Sequence, residues 1–198
     1  MSQIDVWTNY APLALLAVAS AWGLGRIFYL SKVQNVTVMS FFSQRKSAAE
    51  RGLGLVAVLS NIYIVLRPFV AELDSLVYRQ PSPAPFLAIG IMTFGIFLMI
   101  YCQAGMGSAW RIGVPEHQED SQKLVTNGIY NRSRNPIYLA VLIYLAGLFL
   151  LLPGPFTAVS CLATFVFLHP VIAREEAFLE HAFGQEFRDY KQRVRRWI

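Results

Sequence analysis

The residues most suited to chemistry in this chain are two adjacent carboxylates, Glu175 and Glu176, and a polar segment at 124–138. The glutamates close one apolar stretch, and the polar segment leads directly into another. Carboxylates at the edge of a membrane are costly to desolvate and normally have a cationic partner. Adjacent residues on a helix project about 100° apart, so we do not expect this pair to share one proton. The partner is either a cationic ligand or an arginine of the chain, with three candidates: Arg132, Arg134 and Arg174.

The end of the polar segment predicts the start of a helix. Pro136 suits a first helical position, where its missing N–H costs nothing, and Asn135 then takes the N-cap position. Helix N-termini attract anions, so a ligand carboxylate could bind there beside Arg134. Helix capping accounts for Asn135 and Pro136 but leaves Arg134 and Tyr138 unexplained.

Other chemistries have little support in the sequence. The three histidines, His117, His169 and His181, lack metal-ligand spacing, so we expect no metal site. Cys102 and Cys161 lie in apolar runs and are expected to be buried thiols. The chain has no serine-hydrolase elbow, phosphate-binding loop or glycine-rich dinucleotide motif.

The composition indicates that a membrane positions these residues. The chain is 55% hydrophobic and 15% charged over 198 residues, and its mean hydropathy is +0.43. Five apolar stretches predict membrane-spanning helices, since about 20 residues cross the hydrocarbon layer; they are 11–30, 53–71, 84–102, 137–152 and 156–172. The sequence Pro153-Gly154-Pro155 makes the last two a helical hairpin. The predicted fold is therefore all-α and polytopic.

The charges predict an orientation in the bilayer. Most of the 17 Lys and Arg residues follow the first, third and fifth stretches, whereas the opposite side has only Arg79. The positive-inside rule then places the N-terminus outside and the C-terminus in the cytoplasm. We expect the first stretch to be retained rather than cleaved, because the residues before it include Asp5 and no basic residue. The predicted orientation in the membrane explains the excess of basic residues, so nucleic-acid binding is not needed to account for it.

The tail from 175 onward has a helical repeat of apolar residues, which predicts a cytoplasmic amphipathic helix lying on the membrane or over the cytoplasmic loops. Its apolar positions are Leu179, Phe183, Phe187, Tyr190, Val194 and Trp197. Gly184 is expected to bend or break this helix. We treat 1–198 as one integral membrane domain, in which 1–103 is a scaffold and 104–198 carries the functional residues.

Several of these residues occur in an order that resembles a known family. They are Leu124-Val125, Gly128-Ile129-Tyr130, Arg134-x-Pro136-x-Tyr138, Glu175-Glu176-x-x-Leu179-x-x-x-Phe183-Gly184 and Phe187-x-x-Tyr190-x-x-x-Val194. In this order around two apolar helices, they resemble the isoprenylcysteine carboxyl methyltransferase and phospholipid methyltransferase superfamily of membrane enzymes. The resemblance covers about half of the chain.

The resemblance implies S-adenosylmethionine as methyl donor, with S-adenosylhomocysteine as product, in a pocket at the cytoplasmic surface. It implies a lipophilic acceptor that enters from the bilayer, whereas the oligomeric state stays open. Arg134 and Glu175 are the expected catalytic residues. The expected cofactor-binding residues are Gln122, Lys123, Leu124, Val125, Tyr130, Asn135, Pro136, Tyr138, Glu175 and Glu176.

Two positions depart from the family pattern. The family usually has His where this chain has Asn135, and relatives that act on prenylcysteine often have Arg where this chain has Val171. The acceptor is therefore open among carboxylates, amines and thiols. Two alternatives stay open as well: an NADPH-dependent membrane reductase of the sterol-reductase type, which needs a denser basic site, and a non-catalytic membrane protein with a degenerate pocket.

Overall fold

The computed structural model describes residues 3–33, 47–70, 72–73, 84–110 and 123–198. Throughout these residues the regular structure is helical, as predicted. The α-helices are α1 (Gln3–Phe28), α2 (Ala48–Leu66), α3 (Pro85–Met106), α4 (Pro136–Leu151), α5 (Pro155–Phe183) and α6 (Gln185–Arg193). A π-helical turn at Tyr29–Val33 extends α1, and short 3₁₀ helices lie at Gly107–Ala109 and Gly128–Asn131.

The helices have the length and composition of membrane spans. Four of them, centred on α1, α2, α3 and α5, are long and apolar enough to cross a bilayer. The shorter α4 has 16 residues and a length of about 24 Å. The prediction of an all-α integral membrane protein is confirmed. Several predicted bounds are wrong. The helix α1 begins at Gln3 rather than 11, and α2 covers Ala48–Leu66 rather than 53–71. At the other end, α3 continues past 102 to Met106, and α5 continues past 172 to Phe183.

The extension of α5 changes where Glu175 and Glu176 lie. Both were expected at the end of a helix, but they lie two turns before the end of α5. The apolar pattern stops at 172, yet the residues that follow are good helix formers, so the helix continues. It ends at Gly184, which has a positive φ of 55° that a glycine adopts without strain.

Close packing between α3 and α4 fixes the centre of the bundle. A Cβ added at Gly95 would lie 2.8 Å from the backbone nitrogen of Tyr144, and one at Gly147 would lie 2.8 Å from that of Met92. The two backbones therefore touch where each helix has a glycine, as is common between membrane helices. This contact fixes α4, which carries Tyr138, against α3.

The predicted turn between α4 and α5 is present. The helix α5 begins at Pro155. The Thr157 hydroxyl donates to the carbonyl oxygens of Leu152 at 2.6 Å and Gly154 at 3.1 Å. The Cys161 thiol donates to the carbonyl oxygen of Leu145 at 3.3 Å, so the two helices form a hairpin. Both cysteines are free thiols; Cys102 is buried as predicted, whereas Cys161 is only partly buried.

Two arginines in the first spans connect neighbouring helices. Arg26 Nη2 donates to the carbonyl oxygens of Gln103 at 3.1 Å and Gly107 at 2.6 Å, at the end of α3. Arg67 Nη1 donates to Asn9 Oδ1 at 2.8 Å on α1. Carbonyl groups at a helix end have no partner within the helix, which explains why a cation binds there.

Candidate active site

A cavity of about 110 Å³ lies where the end of α3, the 123–135 segment, the last third of α5 and α6 meet. We call it the polar cavity because charged and polar side chains form part of its otherwise apolar wall. Eight of the predicted site residues line it: Lys123, Leu124, Val125, Tyr130, Arg134, Asn135, Glu175 and Glu176. Segments distant in sequence thus surround one space. Gln122 lies outside the described residues.

Glu176 is held by two arginines. Its carboxylate accepts from Arg134 Nε at 3.2 Å and Nη2 at 2.9 Å, and from Arg196 Nε at 3.2 Å and Nη2 at 2.7 Å. Glu176 is 6% exposed and the side chain of Arg134 is 10% exposed, whereas that of Arg196 is 36% exposed, so the cluster reaches solvent on the Arg196 side. The hydrogen bonds to Glu176 raise the pKa of Arg196 above its usual value. Of the two explanations offered by the sequence, the salt bridge within the chain applies to Glu176.

Arg134 connects the site to the C-terminal segment. In addition to Glu176, its Nη1 donates to the carbonyl oxygens of Lys191 at 2.9 Å and Val194 at 2.6 Å. Its backbone N–H donates to the carbonyl oxygen of Arg195 at 3.0 Å. Each nitrogen of the guanidinium therefore has a protein partner. Arg134 lines the cavity, but its side-chain hydrogen bonds go to other parts of the protein, so it stabilises the cavity wall.

Asn135 has a similar role. It occupies the N-cap position of α4, yet its side chain does not cap the helix. Instead Nδ2 donates to the carbonyl oxygen of Arg196 at 3.2 Å, and the Ser133 hydroxyl donates to the same oxygen at 3.3 Å. A capping bond needs the side-chain oxygen to accept from a backbone N–H of α4, whereas the bond observed here is one that the amide nitrogen donates to the C-terminal segment. Pro136, which the resemblance places at the cofactor, is buried at the first turn of α4 and does not line the cavity.

Glu175 differs from its neighbour. Its Oε2 accepts a hydrogen bond from the Tyr138 hydroxyl at 2.8 Å. Within the described ranges Glu175 has no ion pair, and Arg174, one of its candidate partners, forms an ion pair with Glu50 of α2. Glu175 therefore presents to the cavity a carboxylate that has no ion pair with the described part of the chain.

Two tyrosines form one wall of the cavity. The Tyr190 hydroxyl donates to the carbonyl oxygen of Tyr130 at 2.6 Å, and the Tyr130 hydroxyl donates to that of Cys102 at 3.3 Å. Burial raises the pKa of Tyr190 to about 12 and that of Tyr130 further, so both are neutral at physiological pH. These bonds attach α6 to the 3₁₀ turn and the turn to α3.

The sequence reasoning did not assign seven of the lining residues to the site. They are Met106, Ala109, Phe178, Leu179, Phe183, Phe187 and Tyr190. The apolar repeat of the tail was the available signal: Phe187, Tyr190 and Val194 pack against Leu124 in one buried cluster. Of the two placements considered for the tail, packing over the loops describes these residues.

A second, larger cavity lies inside the helical bundle. This chamber has a volume of about 390 Å³, and its lining comes from α1 to α5. Apolar side chains predominate, and none of the described residues in the lining is charged. Tyr138 lines this chamber rather than the polar cavity, while its hydrogen-bond partner Glu175 lines the polar cavity. One hydrogen bond therefore joins the two spaces.

These features define an all-helical membrane protein with a polar cavity at the end of the bundle and an apolar chamber beside it. The family model described as phospholipid methyltransferase matches residues 84–186, which is about half of the chain. The chain belongs to the phospholipid methyltransferase family.

Similar proteins carry related names. A probable protein-S-isoprenylcysteine O-methyltransferase of Oryza sativa subsp. indica is 38% identical over 79 residues, which cover 39% of this chain and 41% of that protein. Protein-S-isoprenylcysteine O-methyltransferase of Dictyostelium discoideum is 31% identical over 104 residues, which cover 52% of this chain and 44% of that protein. The chain thus spans less than half the length of these curated relatives.

A solved structure shares the fold. It is that of a eukaryotic intramembrane Ras methyltransferase, isoprenylcysteine carboxyl methyltransferase, and it superimposes with a TM-score of 0.63. The match covers 94% of this chain and 66% of the other, at 21% sequence identity. At this identity the likeness establishes the helical arrangement.

Proposed function

We propose that this chain is a methyltransferase that uses S-adenosylmethionine and acts on a lipophilic acceptor. The observation that carries this proposal is the Tyr138–Glu175 hydrogen bond of 2.8 Å, with one partner on the wall of the polar cavity and the other on the wall of the apolar chamber. A charged donor and a lipid-like acceptor need different surroundings, so a reaction between them requires a place where the polar cavity and the apolar chamber meet. Family membership supports the same reaction class.

The lining of the polar cavity fits the donor. S-adenosylmethionine, when bound, supplies a methyl group activated by a sulfonium, and it also carries an ammonium and a carboxylate. Glu175 offers a carboxylate to the cationic groups, and charge-assisted contacts of this kind are stronger than neutral ones. The rings of Tyr130 and Phe187 offer apolar surface, and Lys123 offers a cation to the donor's carboxylate.

The chain's own groups would align the reactants and exclude water. Holding two reactants in the right geometry can contribute about 7–11 kcal/mol, so no dedicated nucleophile is needed. Glu176, Arg134 and Arg196 would keep the wall of the cavity rigid, while the chamber would hold the apolar part of the acceptor. Every described residue that lines the polar cavity lies from Met106 onward, which supports assigning the donor to 104–198 and a scaffold role to 1–103.

The orientation is part of the proposal. Basic residues such as Lys123, Arg193 and Arg195 lie at the end of the bundle that holds the polar cavity. The positive-inside rule favours a cytoplasmic location for this end, where the donor is available. The acceptor would then approach from the bilayer.

The reductase alternative has less support. Arg134 and Lys123 are the cations among the described lining residues, and Glu176 already neutralises Arg134. A nicotinamide cofactor with an extra phosphate needs several positive partners at one place. Nothing in the described cavity supplies them.

The experiment is methyl transfer from radiolabelled S-adenosylmethionine into a lipid-extractable product, in membranes that contain the chain. We expect incorporation with the wild type, a loss of at least tenfold with Glu175→Gln, and no change with the control Glu180→Gln, whose carboxylate is partly exposed and does not line the cavity. Binding of NADPH without any binding of S-adenosylhomocysteine would instead support the reductase.

A further inference from the structure

The apolar chamber has a polar patch far from the donor cavity. Among its described lining residues, the polar side chains are those of Ser60, Asn61, Tyr138, Tyr144 and Thr164. The Tyr138 hydroxyl bonds to Glu175, where the two spaces meet. The Tyr144 hydroxyl is buried against other atoms, so a ligand in the chamber does not reach it. We call the remaining three residues, Ser60, Asn61 and Thr164, the deep patch.

The helices α2 and α5 bring the deep patch together. The Ser60 hydroxyl donates to that of Ser160 at 3.3 Å, and Thr164 lies one turn along α5 from Ser160, on the same face. Asn61 follows Ser60 directly in α2. Thr164 lies three turns before Glu175, a distance of about 16 Å along α5. The deep patch is therefore well separated from the Tyr138–Glu175 bond, and it lies within two membrane spans.

Two side chains of the deep patch lack a hydrogen-bond partner. Neither the Asn61 amide nor the Thr164 hydroxyl bonds to any residue that the structure describes. Thr93 of α3 shows the usual arrangement for a helical threonine, in which the hydroxyl donates to the carbonyl oxygen one turn earlier, here that of Ile89 at 2.8 Å. An amide in the hydrocarbon layer costs free energy unless a group bonds to it, so such a residue indicates a binding site.

We infer that the deep patch binds a second polar group of the methyl acceptor, a neutral oxygen carried on its hydrocarbon part. The inference rests on the proposed function, in which the chamber holds the apolar part of that molecule. The Asn61 amide and the Thr164 hydroxyl both donate hydrogen bonds, so a carbonyl or hydroxyl oxygen suits them. A charged group does not, because none of the described lining residues could pair with it.

The test compares two neutral probes of equal chain length, heptadecane and heptadecan-9-one, which differ in one carbonyl group. The radiolabelled probes are titrated onto the protein in nanodiscs of ether-linked lipid, which has no ester carbonyl group to compete. Empty nanodiscs are the reference for partition into the bilayer. We expect the ketone to bind at least fivefold more tightly than the hydrocarbon, because two unpaired donors gain a partner. Equal affinities would overturn the inference.

Substitutions locate the carbonyl group of the ketone. Asn61→Leu and Thr164→Val should each reduce its advantage over the hydrocarbon, and the double variant should abolish it. The matched control Thr93→Val should keep the advantage, since Thr93 does not line the chamber. Tyr138→Phe should also keep it, because that hydroxyl bonds to Glu175 at the other end of the chamber. An advantage that survives in the double variant, or that Tyr138→Phe alone removes, would contradict binding at the deep patch.

Thermal unfolding separates a binding role from a structural one. Asn61→Leu should leave the unfolding midpoint unchanged or raise it, because the amide has no partner to lose among the described residues. A midpoint clearly below that of Thr93→Val would show that Asn61 stabilises the fold, and the inference would then be wrong.

Failure of this inference can be told apart from failure of the proposed function. If the wild type does not bind S-adenosylhomocysteine, the proposed function is wrong, and the methyl acceptor is not the molecule that the deep patch binds. If it binds this product but holds the ketone and the hydrocarbon equally well, the proposed function stands and the deep patch is not a binding site.

Discussion

The guanidinium of Arg134 lies 2.9 Å from the carboxylate of Glu176, 42 positions away in the sequence. Arg196 pairs with the same carboxylate at 2.7 Å. The carboxylate of Glu176 thereby connects three segments of the chain. They are the loop before α4, the last third of α5, and the residues after α6. Glu176 serves this junction, whereas its neighbour Glu175 has no ion pair within the described residues and is the carboxylate that we propose for ligand binding. Two adjacent residues of one type thus have different roles.

Removal of the charge on Glu176 should destabilise the protein. Glu176→Gln leaves Arg134 and Arg196 without their counter-ion, and breaking a buried ion pair in this way costs about 3 kcal/mol. Thermal unfolding of the purified protein in detergent measures the effect. The matched control is Glu180→Gln, whose partners Arg188 and Lys191 are exposed and 3.8 and 3.6 Å away, and it should cost less than about 1 kcal/mol. Equal shifts for both variants would refute a structural role for Glu176.

The contact of α3 with α4 gives a second prediction. Gly95→Ala places a Cβ 2.8 Å from the backbone of Tyr144, where only a backbone shift can relieve the clash, and overpacking of this kind costs about 1–3 kcal/mol. Gly90→Ala on the same helix meets nothing within 4 Å and should be neutral or slightly stabilising. The comparison of the two unfolding midpoints is the measurement. Similar midpoints would show that the helices do not approach each other as described.

The C-terminal segment gives a third prediction. Its carbonyl groups accept hydrogen bonds from Arg134, Asn135 and Ser133, so point substitutions leave these acceptors in place. Truncation after Arg193 removes them and also removes Arg196 from Glu176. We expect this truncation to lower the affinity for S-adenosylhomocysteine by at least tenfold, whereas deletion of the exposed Ile198 alone should not. Calorimetry on both truncated proteins measures the affinity for S-adenosylhomocysteine. If the protein that ends at Arg193 binds it as tightly as the wild type, this segment has no role in donor binding.

The sequence was sufficient for the features that follow from local rules. The apolar stretches predicted α1 to α5, and Pro153-Gly154-Pro155 predicted the turn of the hairpin, because helix formation and helix breaking depend on nearby residues. The loop containing Tyr130 and the glutamates of α5 were also expected to meet, and they line one cavity. That expectation came from the resemblance to a family.

Other features depend on tertiary contacts that a sequence does not display. The Asn135 side chain was expected to cap α4, but it binds the carbonyl oxygen of Arg196, which comes from the far end of the chain. Arg26 binds the open carbonyl groups at the end of α3, which lie 77 and 81 positions away in the sequence. The division of labour between Glu175 and Glu176 likewise required the positions of two arginines and one tyrosine.

The most direct test of the account is calorimetric titration of the purified protein with S-adenosylhomocysteine. We predict binding to the wild type at one site per chain, at least a tenfold loss of affinity with Glu175→Gln, and wild-type affinity with Glu180→Gln. If the wild type binds nothing, or if Glu175→Gln binds as tightly as the wild type, the loop before α4 and the end of α5 do not form the donor site.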